Sequence, residues 1–275
     1  MGEIVWAGAA AHAPQITGSP EIGGEQATRF YAGMEELHKS FVAAQPDIVI
    51  EILNEHFVNF YLDNMPAICV GVSDSHFGPV GARFLRLEEH VFPGNAELAK
   101  SLVRESHNSG FEVSFSEDLA FDSGAIVPLH FITPNWDVPV VPVLINNIAE
   151  PMPLPWRIYG LGKVIQKVVA SRPKGERIAI LGTGGISHWV GTPQMGMINV
   201  DFDEKFLDLI EKGENKAISD WTPEEIGKGG NGAHEIRNWI GVMGCLPNPE
   251  SRGKVAAYEP IVSWVTGCAA VTWDV

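Results

Sequence analysis

Three histidines stand where chemistry is usually done in an α/β protein. His12 follows the apolar run at Ile4–Ala7 in Ala10-Ala11-His12-Ala13-Pro14. His56 follows Ile48–Leu53 in Asn54-Glu55-His56, and His188 closes Gly182-Thr183-Gly184-Gly185-Ile186-Ser187-His188 after Ile178–Leu181. Ligands gather beyond the carboxyl ends of strands in such sheets, so all three imidazoles are expected on one rim. Histidine is the commonest metal ligand and a frequent general base near neutral pH. Two histidines and one carboxylate on one face of a metal leave positions open, the arrangement of non-haem ferrous oxygenases. Glu55, Asp122, Glu225 and Glu235 are the candidate carboxylates, and spacing alone does not choose among them. A zinc-dependent hydrolase with His and Glu ligands is compatible with the same residues. His38, His76, His90 and His107 fall in helices or polar loops and read as structural. Gly182–Gly185 lacks the spacing of a phosphate cradle and reads as a tight turn that lets the backbone pass close to a ligand.

The elements that must position these residues are legible as continuous apolar runs. Ile4–Ala7, Ile48–Leu53, Ala67–Val72, Val138–Ile145, Ile178–Leu181 and Ala269–Trp273 read as strands with both faces buried. Between them, Glu25–Ala44 carries Phe30, Met34, Leu37 and Phe41 at the spacing of one helix face. Asn95–Asn108, Arg157–Ser171, Asp203–Lys212 and Ala233–Met243 are the other expected helices. Alternating strands and helices indicate an α/β fold. The proline-rich Glu150–Pro155 reads as a crossover, and Gly227–Gly232 as a mobile loop.

The chain has 275 residues, 45% apolar and 19% charged, with a net charge of −15. That balance supports a packed core and argues against nucleic acid as a partner, since phosphate binding needs clustered Lys and Arg. No apolar run reaches the length of a membrane helix. The opening residues show no basic segment before an apolar stretch, so no signal peptide is expected. Cys69, Cys245 and Cys268 are far apart and form no CxxC pair, which fits reduced thiols and a cytoplasmic location.

Together, "AAHAP" at His12, "LNEHF" at His56, "GTGGISHWVGTPQMGMINVDFDEKFLDLI" from Gly182 and "GAHEIRNWIG" at Glu235 resemble the type III extradiol ring-cleavage dioxygenases. Within that family it resembles the protocatechuate 4,5-dioxygenase catalytic subunits. The resemblance runs from the first strand to the last, and the Gly182 stretch is its most specific part. It implies one α/β catalytic domain over 1–275, with a mixed central sheet flanked by helices on both faces. It implies Fe(II) held by His12, His56 and Glu235, and an acid–base role for His188. The implied reaction opens a catecholic or 2-aminophenolic ring with O2, beside the two ring heteroatoms rather than between them.

One stretch departs from the family's common pattern. Many members carry Asp-His-Gly followed by a Pro-Leu pair, with the histidine as proton donor. Here Asp122-Ser123-Gly124 is followed by Pro128-Leu129-His130. This is closer to the 2-aminophenol 1,6-dioxygenase branch, which keeps a histidine at the place of His130. His130 is thus either a second catalytic histidine or a histidine of the core. Asn54 and Ser187 are expected to orient neighbouring site residues, and Phe131, Trp136, Trp189 and Tyr258 either line a substrate pocket or belong to the core. Two rival readings accompany the zinc hydrolase: a non-catalytic partner subunit that has lost its iron ligands, and a non-enzymatic scaffold. The expected partners are a small aromatic substrate and O2, in a homo-oligomer, with a small accessory subunit a further possibility of the family.

Overall fold

Ile48–Leu53 is buried at every position, because helices cover both faces of the strand it forms. Ile48, Ile50 and Ile52 face one core and Val49 and Leu53 the other, as the two-residue side-chain period of a strand requires. The computed structural model describes residues 1–275. Its strands, in chain order, are β1 (Glu3–Ala10), β2 (Ile48–Leu53), β3 (Ile68–Gly71), β4 (Ser75–Gly78), β5 (His90–Pro93), β6 (Ser114–Ser116), β7 (Val140–Ile145), β8 (Arg177–Thr183), β9 (Gly253–Ile261) and β10 (Thr266–Trp273). Eight of them form one sheet in the order β6-β3-β7-β2-β8-β1-β10-β9, and β4 and β5 form a separate hairpin.

The sheet is mixed, as expected. The central strands β7, β2, β8 and β1 are mutually parallel. β3 pairs antiparallel to β7, and β10 and β9 continue antiparallel beyond β1. The residues after the four parallel strands therefore emerge at one end of the sheet. One core packs under the helices Ala96–Asn108, Pro155–Ser171, Val200–Lys212 and Ile236–Cys245; the other packs under Gly24–Ala44 and Ser123–Ile132. No helix is long and apolar enough to cross a membrane.

Three local differences separate the sequence reading from the fold. β1 runs on to Ala10, because Gly8, Ala9 and Ala10 are small enough to continue between β8 and β10. β9 carries mostly half-buried residues and a proline, so its apolar signal is weak; as an edge strand it tolerates Pro260. Gly227–Gly232 does not form the expected mobile loop. Its first residue ends a short helix, Gly229 and Gly230 are buried, and the segment bonds to the backbone of His188.

Candidate metal centre and its cavity

His12, His56 and Glu235 meet at the carboxyl end of the sheet. Their ligand atoms all lie within 4.8 Å of one another. His12 Nε2 is 3.2 Å from Glu235 Oε1, and His56 Nε2 is 3.6 Å from the same oxygen. β1 and β2 deliver the two imidazoles. Glu235 arrives on a 3-10 turn, Gly232–Glu235, immediately before the buried helix Ile236–Cys245.

Each imidazole is held by its other nitrogen. His12 Nδ1 lies 3.2 Å from the Thr183 hydroxyl. His56 Nδ1 donates to Asp122 Oδ2 at 2.9 Å, and the His56 backbone N–H donates to that oxygen at 2.7 Å. A carboxylate only accepts, so the proton of neutral His56 sits on Nδ1 and Nε2 keeps its lone pair. This outer bracing is typical of metal-ligating histidines. Burial lowers the basicity of His56, but the charge of Asp122 and the bonds to Asp122 and Glu235 prevail and raise it to about 10, so a cation arriving at Nε2 displaces a proton there. Burial would raise the Glu235 carboxyl, yet the His12 and His188 imidazoles hold it well below the ordinary carboxylate value. A buried, charged carboxylate among imidazoles is the electrostatic setting a divalent cation needs, and two nitrogens with one oxygen suit a first-row transition metal.

The other candidate carboxylates are spent elsewhere. Glu55 Oε2 accepts the backbone N–H groups of Val58 and Asn59. Asp122 braces His56, and Glu225 completes a capping box with Thr222.

His188 lies beside this cluster, with Nε2 3.6 Å from Glu235 Oε2. Its Nδ1 is 3.3 Å from the Ile186 carbonyl, which can only accept. The proton is thereby assigned to Nδ1, and Nε2 is free to take another. The residue is fixed from three sides. Its N–H donates to the Gly229 carbonyl and its carbonyl accepts from Gly232. The preceding Ser187 bonds through both its N–H and its hydroxyl to Asp203, which also accepts from the Tyr258 hydroxyl. Burial raises the Asp203 carboxyl to about 6, and those same bonds restrain the shift. Gly184 explains the spacing of the Gly182 stretch. It adopts φ of +140°, and a Cβ there would stand 2.6 Å from Cβ of Glu235.

A cavity of about 420 Å³ opens onto the cluster, a size suited to a small organic ligand. Its walls include His12, His56, His188 and Glu235, together with Gln15, Phe57, Asn147, Met195 and Thr266. His130 is not among its walls. The structure places it on the helix Ser123–Ile132, against Phe131 and Trp136, with its basicity lowered by burial. It is half-buried at the margin of the second core, away from the cluster. Phe131, Trp136, Trp189 and Tyr258 do not line the cavity either. Asn147 and Asn238 are the site residues the sequence reading passed over. Asn147 lies two residues past the end of the buried strand β7, the same kind of signal that singled out the histidines.

A parallel-strand rim bearing two imidazoles, a carboxylate and a further imidazole over a ligand-sized cavity defines a metal-dependent enzyme class. The family described as the catalytic LigB subunit of aromatic ring-opening dioxygenase matches residues 7–269, and the chain belongs to it. The extradiol resemblance in the motifs is thereby borne out. A 2,3-dihydroxyphenylpropionate/2,3-dihydroxicinnamic acid 1,2-dioxygenase from Paraburkholderia xenovorans is 28% identical over 272 residues, covering 82% of this chain and 84% of that protein. The enzyme of the same name from Cupriavidus necator is 26% identical over 298 residues, covering 92% of each chain. In fold, the chain is similar to the crystal structure of an uncharacterized Escherichia coli K12 protein. That match has a TM-score of 0.58 at 14% identity and covers 87% of this chain and 91% of that one.

Proposed function

We propose that this enzyme opens the ring of a catecholic or 2-aminophenolic compound with dioxygen, on the outer side of the heteroatom pair, using Fe(II) held by His12, His56 and Glu235. The observation that carries this is the convergence of those three donors within 4.8 Å in a cavity that also holds His188. The relatives named for a 2,3-dihydroxyphenyl acid support the catechol arm.

Bound iron would supply the open coordination side on which an electron-rich ring and dioxygen can be brought together. The protein's work is orientation and proton transfer. His12 and His56 present Nε2 because Thr183 and Asp122 engage their Nδ1 atoms. Glu235 is steered by the Gly185 N–H, which donates to Oε2 at 2.8 Å, and by Asn54, whose amide donates to Oε1 at 3.2 Å. His188 is the one imidazole of the cavity wall outside the proposed ligand set. Its free Nε2 takes the proton of a ring hydroxyl and returns it to a developing oxygen later in the cycle. The serine at position 123 leaves that duty to His188 alone, since no histidine precedes Gly124. The phenyl ring of Phe57 and the side chain of Met195 supply apolar walls for the aromatic ring.

The test is anaerobic purification, loading with Fe(II), and oxygen uptake on a panel of catechols and 2-aminophenols. Uptake that depends on iron, with ring-opened products, supports the reading. Bound zinc with oxygen-independent hydrolysis would replace it with the hydrolase, and absence of iron binding would replace it with a non-catalytic partner chain.

A further inference from the structure

One wall of the cavity is tied down only at its ends. Val190 and Met195 line the cavity, and both belong to the segment that joins His188 to the helix Val200–Lys212. At the near end, Val190 N–H donates to Asn231 Oδ1 and the Val190 carbonyl accepts from Asn231 Nδ2, each at 2.9 Å. At the far end, Asn199 N–H donates to the Ser187 hydroxyl at 2.8 Å and Asn199 Nδ2 to the Lys228 carbonyl at 2.9 Å. Between these anchors, residues 191–198 hydrogen-bond only among themselves. Met195 N–H donates to the Thr192 carbonyl, Met197 N–H to the Gln194 carbonyl, and Gln194 N–H to the Thr192 hydroxyl. No hydrogen bond ties them to the sheet or to another wall of the cavity. A segment with exposed backbone and no bonds to its surroundings moves at little free-energy cost.

Two glycines give this segment room to turn. Gly191 adopts φ of +65° and Gly196 φ of +95°, and a Cβ at either position would meet nothing within 4 Å. Neither glycine is there to let a neighbour approach, so backbone freedom is what the two positions offer. The side chains between and beside them are apolar yet wet. Met195 is 57% exposed although it lines the cavity, and Met197 is 54% exposed. The two methionines serve different hollows, since Met197 lines a separate outer groove with Trp189, Ile198 and Val200. Only Met195 is placed to meet a ring in the cavity. Burying its side chain on an aromatic face is favourable through both lost apolar exposure and the contact of sulfur with the ring.

We propose that residues 191–198 form a strap that closes over the cavity when an aromatic ring is bound, with Met195 laid against the ring. This rests on the ring-cleavage reading for the nature of the ligand, while the closure itself is a matter of binding. Because the strap is anchored on Ser187 and Asn231, it closes from fixed points beside His188 and the turn that carries Glu235. Closure withholds bulk water from the site while the ring is held there.

The experiment is amide hydrogen exchange, resolved to single residues by mass spectrometry, on the iron-loaded protein without oxygen. The protein is compared free and saturated with catechol or 2-aminophenol. Amides across residues 191–198, on both sides of the strap, should exchange on the order of tenfold more slowly with either ring bound. Dissociation constants by calorimetry then read the contact. Met195→Gln should weaken catechol binding by about five- to tenfold, Met195→Leu by about twofold or less, and Met197→Gln should leave it within about twofold because that side chain lines the outer groove. Exchange that is the same in free and bound protein overturns the inference. So does protection confined to Met195, the mark of a fixed wall, and so does protection that follows protein concentration without any ring, which would make the segment a contact between subunits. Should Met195→Gln not fold, the exchange of the wild type decides. A strap that closes on a ring that is never opened by dioxygen defeats the dioxygenase reading and leaves this one standing.

Discussion

One oxygen of Asp122 holds both the backbone and the ring of His56: Oδ2 accepts the His56 N–H at 2.7 Å and Nδ1–H at 2.9 Å. The other oxygen, Oδ1, accepts from Gly124 N and caps the helix Ser123–Ile132. A single carboxylate thus ties the direction of one proposed iron ligand to the start of a buried helix. His56 needs this more than His12 does, because its ring opens to the cavity while His12 is buried.

Asp122→Asn separates the two duties. Asparagine caps helices as well as aspartate does, but its Nδ2 then faces the two His56 N–H groups in place of an acceptor, so stability should fall by about 1–3 kcal/mol. The charge opposite Nδ1 is lost, and iron affinity should fall by about 10- to 100-fold. Asp122→Ala should add a stability loss of about 1 kcal/mol from the missing cap. Metal titration and thermal melting of the two variants check this; equal iron affinity in wild type and Asp122→Asn would remove Asp122 from the metal site.

His188→Ala should retain iron and lose turnover. Losing a positioned proton-transfer group costs about 10²- to 10⁴-fold in rate. Its ring also touches Gly232, where a Cβ would stand 2.2 Å from the imidazole, so the turn carrying Glu235 packs directly on it. His188→Gln keeps much of that volume and is the better control. Iron content by metal analysis and kcat by oxygen uptake separate the roles: loss of iron in His188→Gln would make the residue structural.

Gly184→Ala should damage the centre through the backbone. A residue with a side chain is strained at φ of +140°, and the added methyl would press on Glu235. A loss of stability of about 1–3 kcal/mol is expected, with weakened iron binding, because Glu235 cannot move without losing the Gly185 N–H bond. Denaturant unfolding and metal titration read the two effects. A stable variant with normal iron affinity would show that the turn has room to adjust.

How much of this the sequence carried depends on the kind of signal each part emits. β2 is read at its true bounds because a short run of β-branched and other apolar residues, interrupted only by Glu51, ends abruptly at Asn54. His12, His56 and His188 were found because a polar residue after a two-faced buried strand has few places to go. Glu235 was different. Glu55, Asp122 and Glu225 were equal candidates by spacing, and a 3-10 turn distant in sequence decides among them; only the family motif distinguished it beforehand. The helix Ser123–Ile132 is not marked in the sequence, since it is apolar on every side and contains Pro128, so neither amphipathic period nor composition signals a helix. That is also why the place of His130 could not be read. Its neighbours are set by the helix's rotation against Tyr31 and Trp136, a tertiary property.

Glu51 offers a test of the fold that is independent of catalysis. It lies in the middle of β2, is fully buried, and neither carboxyl oxygen has a partner. Burial, with the charge of Asp122 second, raises its carboxyl well above the ordinary value. A carboxyl whose folded pKa is raised contributes stability that is complete below its unfolded pKa of about 4.3 and is lost as pH rises toward the folded value. The slope of that loss is at most about 1.4 kcal/mol per pH unit for one proton. Glu51→Gln cannot ionise, so it should match the wild type near pH 4.5 and melt progressively higher than it as the pH is raised to 8. Thermal unfolding of both proteins across that range measures the gap. A gap that stays constant with pH would mean Glu51 finds a partner that keeps it charged, and the unpaired carboxyl in the centre of the sheet would not exist.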